Sequence, residues 1–286
     1  MNRRIFFRIG LLLAAVLAAG ATLFLLLLAV YARAVAARPA GEISGRIVSG
    51  GEERTYVLHV PASYDPGTPA PLVISLHGFA EWPAHQMEIS RWNASSDRNG
   101  FLVVYPAGTG FPLRWRIRGE AGNPDLPMVE VQFISDLIDT LSAEYAVDPA
   151  RVYANGLSNG GGMTDLLACQ LSDRIAAIGG VSGAYLYPRA LCTPRRPVPV
   201  IAFHGTADPI VPYLGGESAS FHEPFPPVED WAADWAGLNG CTDSIEALPP
   251  AGEVTGVRYA GCRGGSEVIL YTVHGGGHAW PGGEPL

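Results

Sequence analysis

An open α/β domain, with a mainly parallel sheet flanked by helices, is the fold this sequence predicts. Three observations carry the expectation. Short apolar runs recur along the chain and alternate with segments of helical periodicity, the pattern of strands joined through helices. A serine sits in a glycine frame directly behind one such run, at Asn155-Gly156-Leu157-Ser158-Asn159-Gly160-Gly161-Gly162. Residues 41–286 have the length of one domain, and the 48% hydrophobic content can build its core even when an apolar amino terminus is set aside.

The amino terminus is a separate object. Arg3, Arg4 and Arg8 precede an uncharged, mostly apolar stretch from Ile9 to Tyr31. A helix of that length is about 34 Å long, enough to cross a hydrocarbon core. Arg33 and Arg38 follow, which leaves a modest bias toward an inside amino terminus. Residues 9–31 are therefore expected to enter the lipid bilayer as a retained signal anchor. The rival is a signal peptide cleaved at the small-residue pattern Ala34-Val35-Ala36. Both place the remainder outside the cytoplasm, tethered or secreted. Residues 1–40 are thus anchor or signal plus a short linker, and 41–286 form the folded domain.

Within that domain, strands are expected at Thr55–Val60, Leu72–Leu76, Phe101–Tyr105, Arg151–Ala154, Ile175–Val181, Val198–Phe203 and Val268–Val273. Helices are expected at Val131–Tyr145, Gly161–Gln170 and Glu229–Leu238. In the first helix Phe133, Ile134, Leu137, Ile138 and Leu141 recur at three-to-four spacing, a face made to pack on a sheet. Pro and Gly cluster at 61–71, 106–127 and 186–199, which read as loops. No internal repeat is visible.

The glycine frame around Ser158 is a G-x-S-x-G sequence following the apolar run Arg151-Val152-Tyr153-Ala154. A strand entering a tight turn with a helix behind it makes such a frame a nucleophile elbow. Side chains at 156 and 160 would collide with the neighbouring strand or helix, so glycine is required there. The frame alone is a weak signal, and Ser158 needs a base and an orienting acid. Val198-Pro199-Val200-Ile201-Ala202-Phe203-His204-Gly205-Thr206-Ala207-Asp208 is a strand running into a turn that carries Asp208. Asp230, Asp234 and Asp243 are competing carboxylates further on. Val268-Ile269-Leu270-Tyr271-Thr272-Val273-His274-Gly275-Gly276-Gly277-His278 is a strand followed by a glycine loop. His278 is favoured over His274 because the glycines let its ring reach back to the serine. Both candidates fall at strand C-termini, the edge where open α/β sheets place their sites. The oxyanion hole needs two backbone N–H donors. Asn159 follows the nucleophile, and Phe79 follows the strand that ends in Leu76-His77-Gly78. His77 precedes the serine in sequence and reads as structural.

Leu76-His77-Gly78, Gly156-Leu157-Ser158-Asn159-Gly160-Gly161, His204-Gly205-Thr206-Ala207-Asp208-Pro209-Ile210-Val211-Pro212-Tyr213 and Gly275-Gly276-Gly277-His278-Ala279-Trp280-Pro281-Gly282 together resemble the polyhydroxybutyrate depolymerase and feruloyl-esterase-like family of secreted α/β-hydrolases. The likeness covers about residues 43–286. It implies the α/β-hydrolase fold and a carboxylic-ester hydrolase with Ser158 as nucleophile, Asp208 as orienting acid and His278 as base. Two departures stand out. Met128-Val129-Glu130-Val131 replaces a pair of aspartates that usually opens a helix, so Glu130 is expected to affect helix-start chemistry. Relatives usually continue into a closing helix, whereas eight residues follow His278. The expectation is a fragment, or a chain without that helix and with an apolar sheet face uncovered near the base.

The four cysteines, in a chain expected to leave the cytoplasm, suggest two disulfides, with free buried thiols as the rival. Three pairings are possible. Cys169–Cys192 with Cys241–Cys262 is the favoured one, and the resemblance implies the same. No C-x-x-C spacing occurs, and the one H-x-x-x-H spacing, His274 to His278, is not joined by one, so no metal or other cofactor is expected.

The net charge is −8, and all 19 basic residues are arginine. Without a basic stripe, nucleic acid is not an expected partner. Arg114-Trp115-Arg116-Ile117-Arg118 is the basic cluster outside the terminus; a solvated loop is the expected reading, and a cleft wall meeting an acidic substrate the rival. Among the tryptophans, Trp82 and Trp280 are the candidate substrate contacts, being close in sequence to the oxyanion and base positions. Core packing explains each equally well. The reading is a serine esterase with a monomeric catalytic domain, acting on polyhydroxyalkanoate-type esters or feruloyl or acetyl polysaccharide esters. A serine peptidase, an acyltransferase and an inactive membrane-tethered binding protein are the alternatives, since fold does not settle function.

Overall fold

Ten strands form one sheet, in the order β1-β2-β4-β3-β5-β6-β7-β10-β9-β8, in the computed structural model. It describes residues 40–286 except 120–122, 124, 223, 243 and 284–286, together with 20–22, 24 and 25. The strands are β1 (Gly41–Ser49), β2 (Glu52–Val60), β3 (Ala70–Leu76), β4 (Leu102–Pro106), β5 (Val147–Leu157), β6 (Ala177–Val181), β7 (Val200–Gly205), β8 (Ile245–Ala251), β9 (Val254–Tyr259) and β10 (Val268–Val273). The helices are α1 (Pro83–Ser90), α2 (Trp92–Asn99), α3 (Leu126–Glu144), α4 (Asn159–Gln170) and α5 (Val228–Asn239). Strands β4, β3, β5, β6, β7 and β10 run parallel to one another. Antiparallel ribbons, β1–β2 at one edge and β9–β8 at the other, flank them.

The expected α/β-hydrolase-like architecture is present, with each predicted strand and helix in place to within a few residues. The two edge ribbons and the helices α1 and α2 add to it. Most of the predicted span 9–31 lies outside the described residues; 20–22, 24 and 25 within it are helical. Among the described residues no helix is long and apolar enough to cross a membrane.

Burial follows the pattern that formed the elements. In the parallel centre Leu72, Ile74, Leu76, Leu102, Val104, Val152 and Ala154 are almost wholly inaccessible. Near-continuous apolar runs are what a strand covered on both faces requires. Helix α3 turns Phe133, Ile134, Leu137, Ile138 and Leu141 onto one face of the sheet, as their spacing predicted. Burying each such side chain stabilises the fold by about 1.5–3 kcal/mol. On the opposite face Val73, Val103 and Tyr105 pack with Met87 of α1 and Trp92 of α2.

Both predicted disulfides are present, Cys169–Cys192 and Cys241–Cys262. The first ties the end of α4 to the loop beyond β6. The second ties the end of α5 to the segment between β9 and β10. A buried carboxylate also joins the two helices: Asp165 of α4 accepts the indole N–H groups of Trp231 and Trp235 of α5 at 2.9 and 2.8 Å. Burial pushes the Asp165 pKa up, against the pull of Arg189 and of the indoles.

Glu130 corrects its expectation. Helix α3 opens at Leu126, so Glu130 lies a turn inside it and faces the core rather than the helix start. Its carboxylate accepts from Arg54 Nη2 and from Thr109 Oγ1, both at 2.8 Å. The Arg54 guanidinium in turn lies 3.8 Å from the centre of the Phe133 ring. Removing one partner of a buried ion pair leaves the other charge uncompensated. Glu130→Ala is therefore expected to destabilise the domain by about 3–5 kcal/mol in urea unfolding. Glu130→Gln, which keeps an acceptor and the shape, should cost less. Equal stability of Glu130→Ala and wild type would show that Arg54 finds another counter-charge.

Candidate active site

Four strand ends on one edge of the sheet supply the site. Ser158 stands between β5 and α4 with φ 57° and ψ −118°, a conformation that L-residues avoid. The turn is held from both sides: Ser158 N–H donates to Val181 O at the end of β6, and Ala184 N–H donates back to Ser158 O, each at 2.9 Å. The glycines act as the frame demanded. A Cβ on Gly156 would lie 2.4 Å from Gly160, and one on Gly160 only 2.2 Å from Leu76 O of the neighbouring strand. Gly161 and Gly162 are equally confined, against Gly183 Cα and Ala184 O. Around Gly156, Gly160 and Gly161 the nearest atoms are all backbone, which leaves no flexible side chain to give way.

Asp208 and His278 come together although 70 residues separate them in sequence. His278 Nδ1 lies 2.8 Å from Asp208 Oδ2, and both side chains are buried. A carboxylate only accepts, so Nδ1 carries the proton and Nε2 is left as the basic nitrogen. Oδ1 of Asp208 accepts the N–H groups of Ile210 and Val211, each at 2.9 Å. His204 Nε2 is 2.9 Å from Val211 O and 3.4 Å from Asp208 Oδ2, so it too supports this turn. Burial alone would raise the Asp208 pKa; the hydrogen bonds from His204 and His278 outweigh it and hold the carboxyl well below the usual range. Gly205 is needed for the approach of the His278 loop, since a Cβ there would meet Gly276 O at 2.1 Å.

The competing residues stand elsewhere. His274 is exposed and paired with Thr255 Oγ1 at 2.9 Å. Asp234 is mostly exposed, 3.7 Å from Arg189. Asp230 is exposed on the first turn of α5, and Asp243 lies outside the described residues. His77 is structural, as expected: Nε2 accepts from Gly108 N–H at 2.9 Å, so Nδ1 donates to Gly78 O at 2.7 Å. Burial lowers its pKa, which favours this neutral tautomer.

Phe79 and Asn159 line the same cavity as Ser158, about 200 Å³ in volume. Among the described residues neither backbone N–H has a partner, as donors kept for an oxyanion should be. The Asn159 N–H also opens helix α4, where the helix dipole adds to its positive potential. Gly78 N–H is engaged by Glu81 Oε2 at 2.8 Å, which fixes the turn ahead of Phe79. No hydrogen bond among the described residues joins Ser158 Oγ to His278. In such sites that contact often tightens only around substrate.

The tryptophan expectation is corrected. Trp82 is 55% exposed at the start of α1 and lies outside the cavity, with its ring against His85. Trp280 lines a different pocket, with Phe203, His204 and Val273. Sequence proximity to the oxyanion and base positions did not put either indole in the lining of the cavity that holds Ser158. Trp115 does reach it, but as a buried wall: its indole donates to His77 O at 3.0 Å.

Cleft residues that sequence reasoning did not name are Leu186, Ile210, Val211, Phe221 and Phe225. Leu186, Phe221 and Phe225 come from loops without a motif, whereas Ile210 and Val211, two and three residues beyond Asp208, belong to the motif that carries it. The run Arg114–Arg118 lines the cleft, which agrees with the rival reading of that cluster as far as its place is concerned, although Arg118 is exposed and Arg114 and Arg116 are half-exposed. Asn159 fixes it there. Its side-chain oxygen accepts from Trp115 N–H at 2.6 Å, and its amide donates to Trp115 O at 3.0 Å.

Comparison with known proteins adds a family. Residues 54–192 match the family described as "Esterase PHB depolymerase". Feruloyl esterase B of Piromyces equi is 32% identical over 235 residues, covering 79% of this chain and 42% of its own length. NocK of Nocardia uniformis subsp. tsuyamanensis, whose name assigns it to the esterases, is 33% identical over 259 residues, covering 83% and 73%. This chain thus spans under half the length of the Piromyces equi enzyme. Among solved structures, the acetyl xylan esterase from Aspergillus awamori superposes with a TM-score of 0.61 at 16% identity, covering 84% of this chain and 95% of that one. The ferulic acid esterase of Anaeromyces mucronatus superposes with a TM-score of 0.56 at 16% identity, covering 84% and 85%. At that identity the two structures speak for the fold alone.

Proposed function

The chain belongs to the PHB-depolymerase esterase family, and from that premise we propose that it is a serine carboxylic-ester hydrolase working through Ser158, Asp208 and His278. The observation that carries the reading is the 2.8 Å hydrogen bond from His278 to Asp208 at the sheet edge that also presents Ser158 on its strained turn. His278 Nε2 takes the Ser158 proton as Oγ attacks the ester carbonyl. The tetrahedral oxyanion is held by the N–H groups of Phe79 and Asn159, a donor of this kind contributing about 3 kcal/mol. Collapse breaks the ester bond, and the alcohol leaves with the proton from His278. Water, deprotonated by the same imidazole, then attacks the acyl-enzyme; the acid departs and Ser158 regains its proton. Asp208 keeps Nδ1–H in place and stabilises the transient imidazolium.

The substrates proposed are feruloyl or acetyl esters of polysaccharides, supported by the names of the relatives, or polyhydroxyalkanoate-type esters, supported by the family description. A monomeric catalytic domain acting outside the cytoplasm fits the two disulfides. The apolar segment 9–31 supports delivery there, as a retained anchor or a removed signal.

The test is covalent. A fluorophosphonate added to the full chain in mild detergent is expected to phosphonylate Ser158, with the mass shift confined to the peptide that contains it. Methyl ferulate and 4-nitrophenyl acetate should be turned over by the unlabelled protein and not by the labelled one. A folded protein that takes no label and cleaves neither ester would overturn the reading in favour of a binding protein on this scaffold.

A further inference from the structure

We infer that Arg114 and Arg116 form an anion subsite in the cleft, and that the ester substrate carries a carboxylate beside an apolar body. The inference rests on the hydrolase reading of Ser158 and names the substrate class for that site.

Both arginines line the cavity that holds Ser158. Arg118 lines it too, and no carboxylate does among the described residues. Several other arginines of the domain are matched, among them Arg54 with Glu130, Arg151 with Asp148, Arg174 with Asp139, and Arg258 with Glu246 and Glu267. The side chains of Arg114 and Arg116 make no ion pair with any described residue. The Arg114 guanidinium lies over Gly110, with Nη1 2.9 Å from where a Cβ on that glycine would stand. In a protein of net charge −8, the Arg114 and Arg116 guanidinium groups, without an ion pair among the described residues, make the cleft a local reversal of the overall field.

The loop is arranged to present them. Trp115 and Ile117 are buried while Arg114 and Arg116 are half-exposed, so the arginines are the more accessible part of this stretch of the cavity lining. The two-point bridge from Asn159 ties the backbone between the two arginines to the residue beside the nucleophile. The same cavity is lined by Phe79, Ile210, Val211, Phe221 and Phe225. Its lining is part cationic and part apolar. A guanidinium fork matches a carboxylate in shape and charge, and the apolar part suits a hydrocarbon or aromatic body. The carboxylate can belong to the acyl arm or to the alcohol arm of the ester, and the experiment separates the two.

Binding is measured by isothermal titration calorimetry on the full chain, with amides in place of the cleavable ester. For the alcohol arm the pair is 4-acetamidobenzoate and 4-acetamidobenzamide. For the acyl arm it is suberanilic acid and octananilide. One acid is expected to bind at least about tenfold more tightly than its neutral partner, the size of a charge-assisted contact, and the pair that shows it assigns the arm. In R114Q/R116Q the preference should vanish, and in R114K/R116K it should return in part. An absent preference in the wild type, or one that persists in a folded R114Q/R116Q, overturns the subsite. Hydrolysis of 4-acetoxybenzoate and 4-acetoxybenzamide keeps the two readings apart. Turnover of both esters with no binding preference sinks the subsite and leaves the hydrolase. A binding preference without turnover of either ester supports the subsite and sinks the hydrolase.

Discussion

Ser158→Ala is expected to lower kcat for 4-nitrophenyl acetate by about 10⁶-fold, the scale set by removing the nucleophile of a serine hydrolase triad. That loss corresponds to about 8 kcal/mol of transition-state stabilisation. The substitution takes away one oxygen and little else. The contacts that hold the elbow are backbone ones, Ser158 N–H to Val181 O and the N–H groups of Gly162 and Ala184 to Ser158 O, and all survive in alanine. Alanine tolerates φ 57° about as poorly as serine, so the strain is unchanged. The unfolding midpoint should therefore match the wild type while activity collapses. The oxyanion donors at Phe79 and Asn159 remain and should leave a residual rate above that of water. A fall of less than about a hundredfold would mean that another group performs the chemistry.

The difference between what the sequence disclosed and what it hid follows from the kind of constraint at each position. Gly156 and Gly160 were legible because backbone lies within 2.5 Å of where a Cβ would stand, a constraint only glycine satisfies, so it is written into the residue type. The parallel strands were legible because burial on both faces forces continuous apolar runs. Strand β8 was not: most of its residues are exposed, and Pro249 and Pro250 give it the look of a loop. Helix α2, with the sequence Trp-Asn-Ala-Ser-Ser-Asp-Arg-Asn, carries no apolar stripe to announce it. Its hold on the sheet comes from Trp92, whose indole donates to Asn155 Oδ1 at 3.1 Å.

Side-chain direction was the larger loss at the site. Glu130 looked like a helix-start acid until its partner Arg54, 76 residues away, entered view. Trp82 and Trp280 were placed by chain proximity, which says nothing of which way a loop turns. The place of the Arg114–Arg118 run in the cleft lining was hidden because its anchor, the Asn159 amide, lies 44 residues on from Trp115. Motifs report local constraint, and each of these residues is positioned by a distant one.

Asp208→Asn is expected to reduce kcat by about 10⁴-fold, and the geometry gives the reason. Oδ1 of Asp208 already accepts two N–H groups, from Ile210 and Val211, at 2.9 Å. The carbonyl oxygen of an asparagine must occupy that position, since its amide group would face two donors there. The amide nitrogen then replaces Oδ2 and points its hydrogens at His278 Nδ1. Nδ1 can only accept, the proton moves to Nε2, and the nitrogen facing Ser158 is no longer a base. The pH dependence separates this tautomer effect from lost stability. The Asp208 carboxyl is held below its ordinary value of 3.8, so its contribution to stability is complete above that pH and is lost as the pH falls through the lower folded-state value. Any stability advantage of wild type over Asp208→Asn should therefore be constant from pH 8 to 5 and shrink below about pH 4. The activity ratio should stay near 10⁴ across the plateau where both proteins remain folded. A variant that keeps more than a tenth of wild-type activity at pH 7 would remove Asp208 from the role assigned to it, and a loss of activity that tracks unfolding would make that role structural.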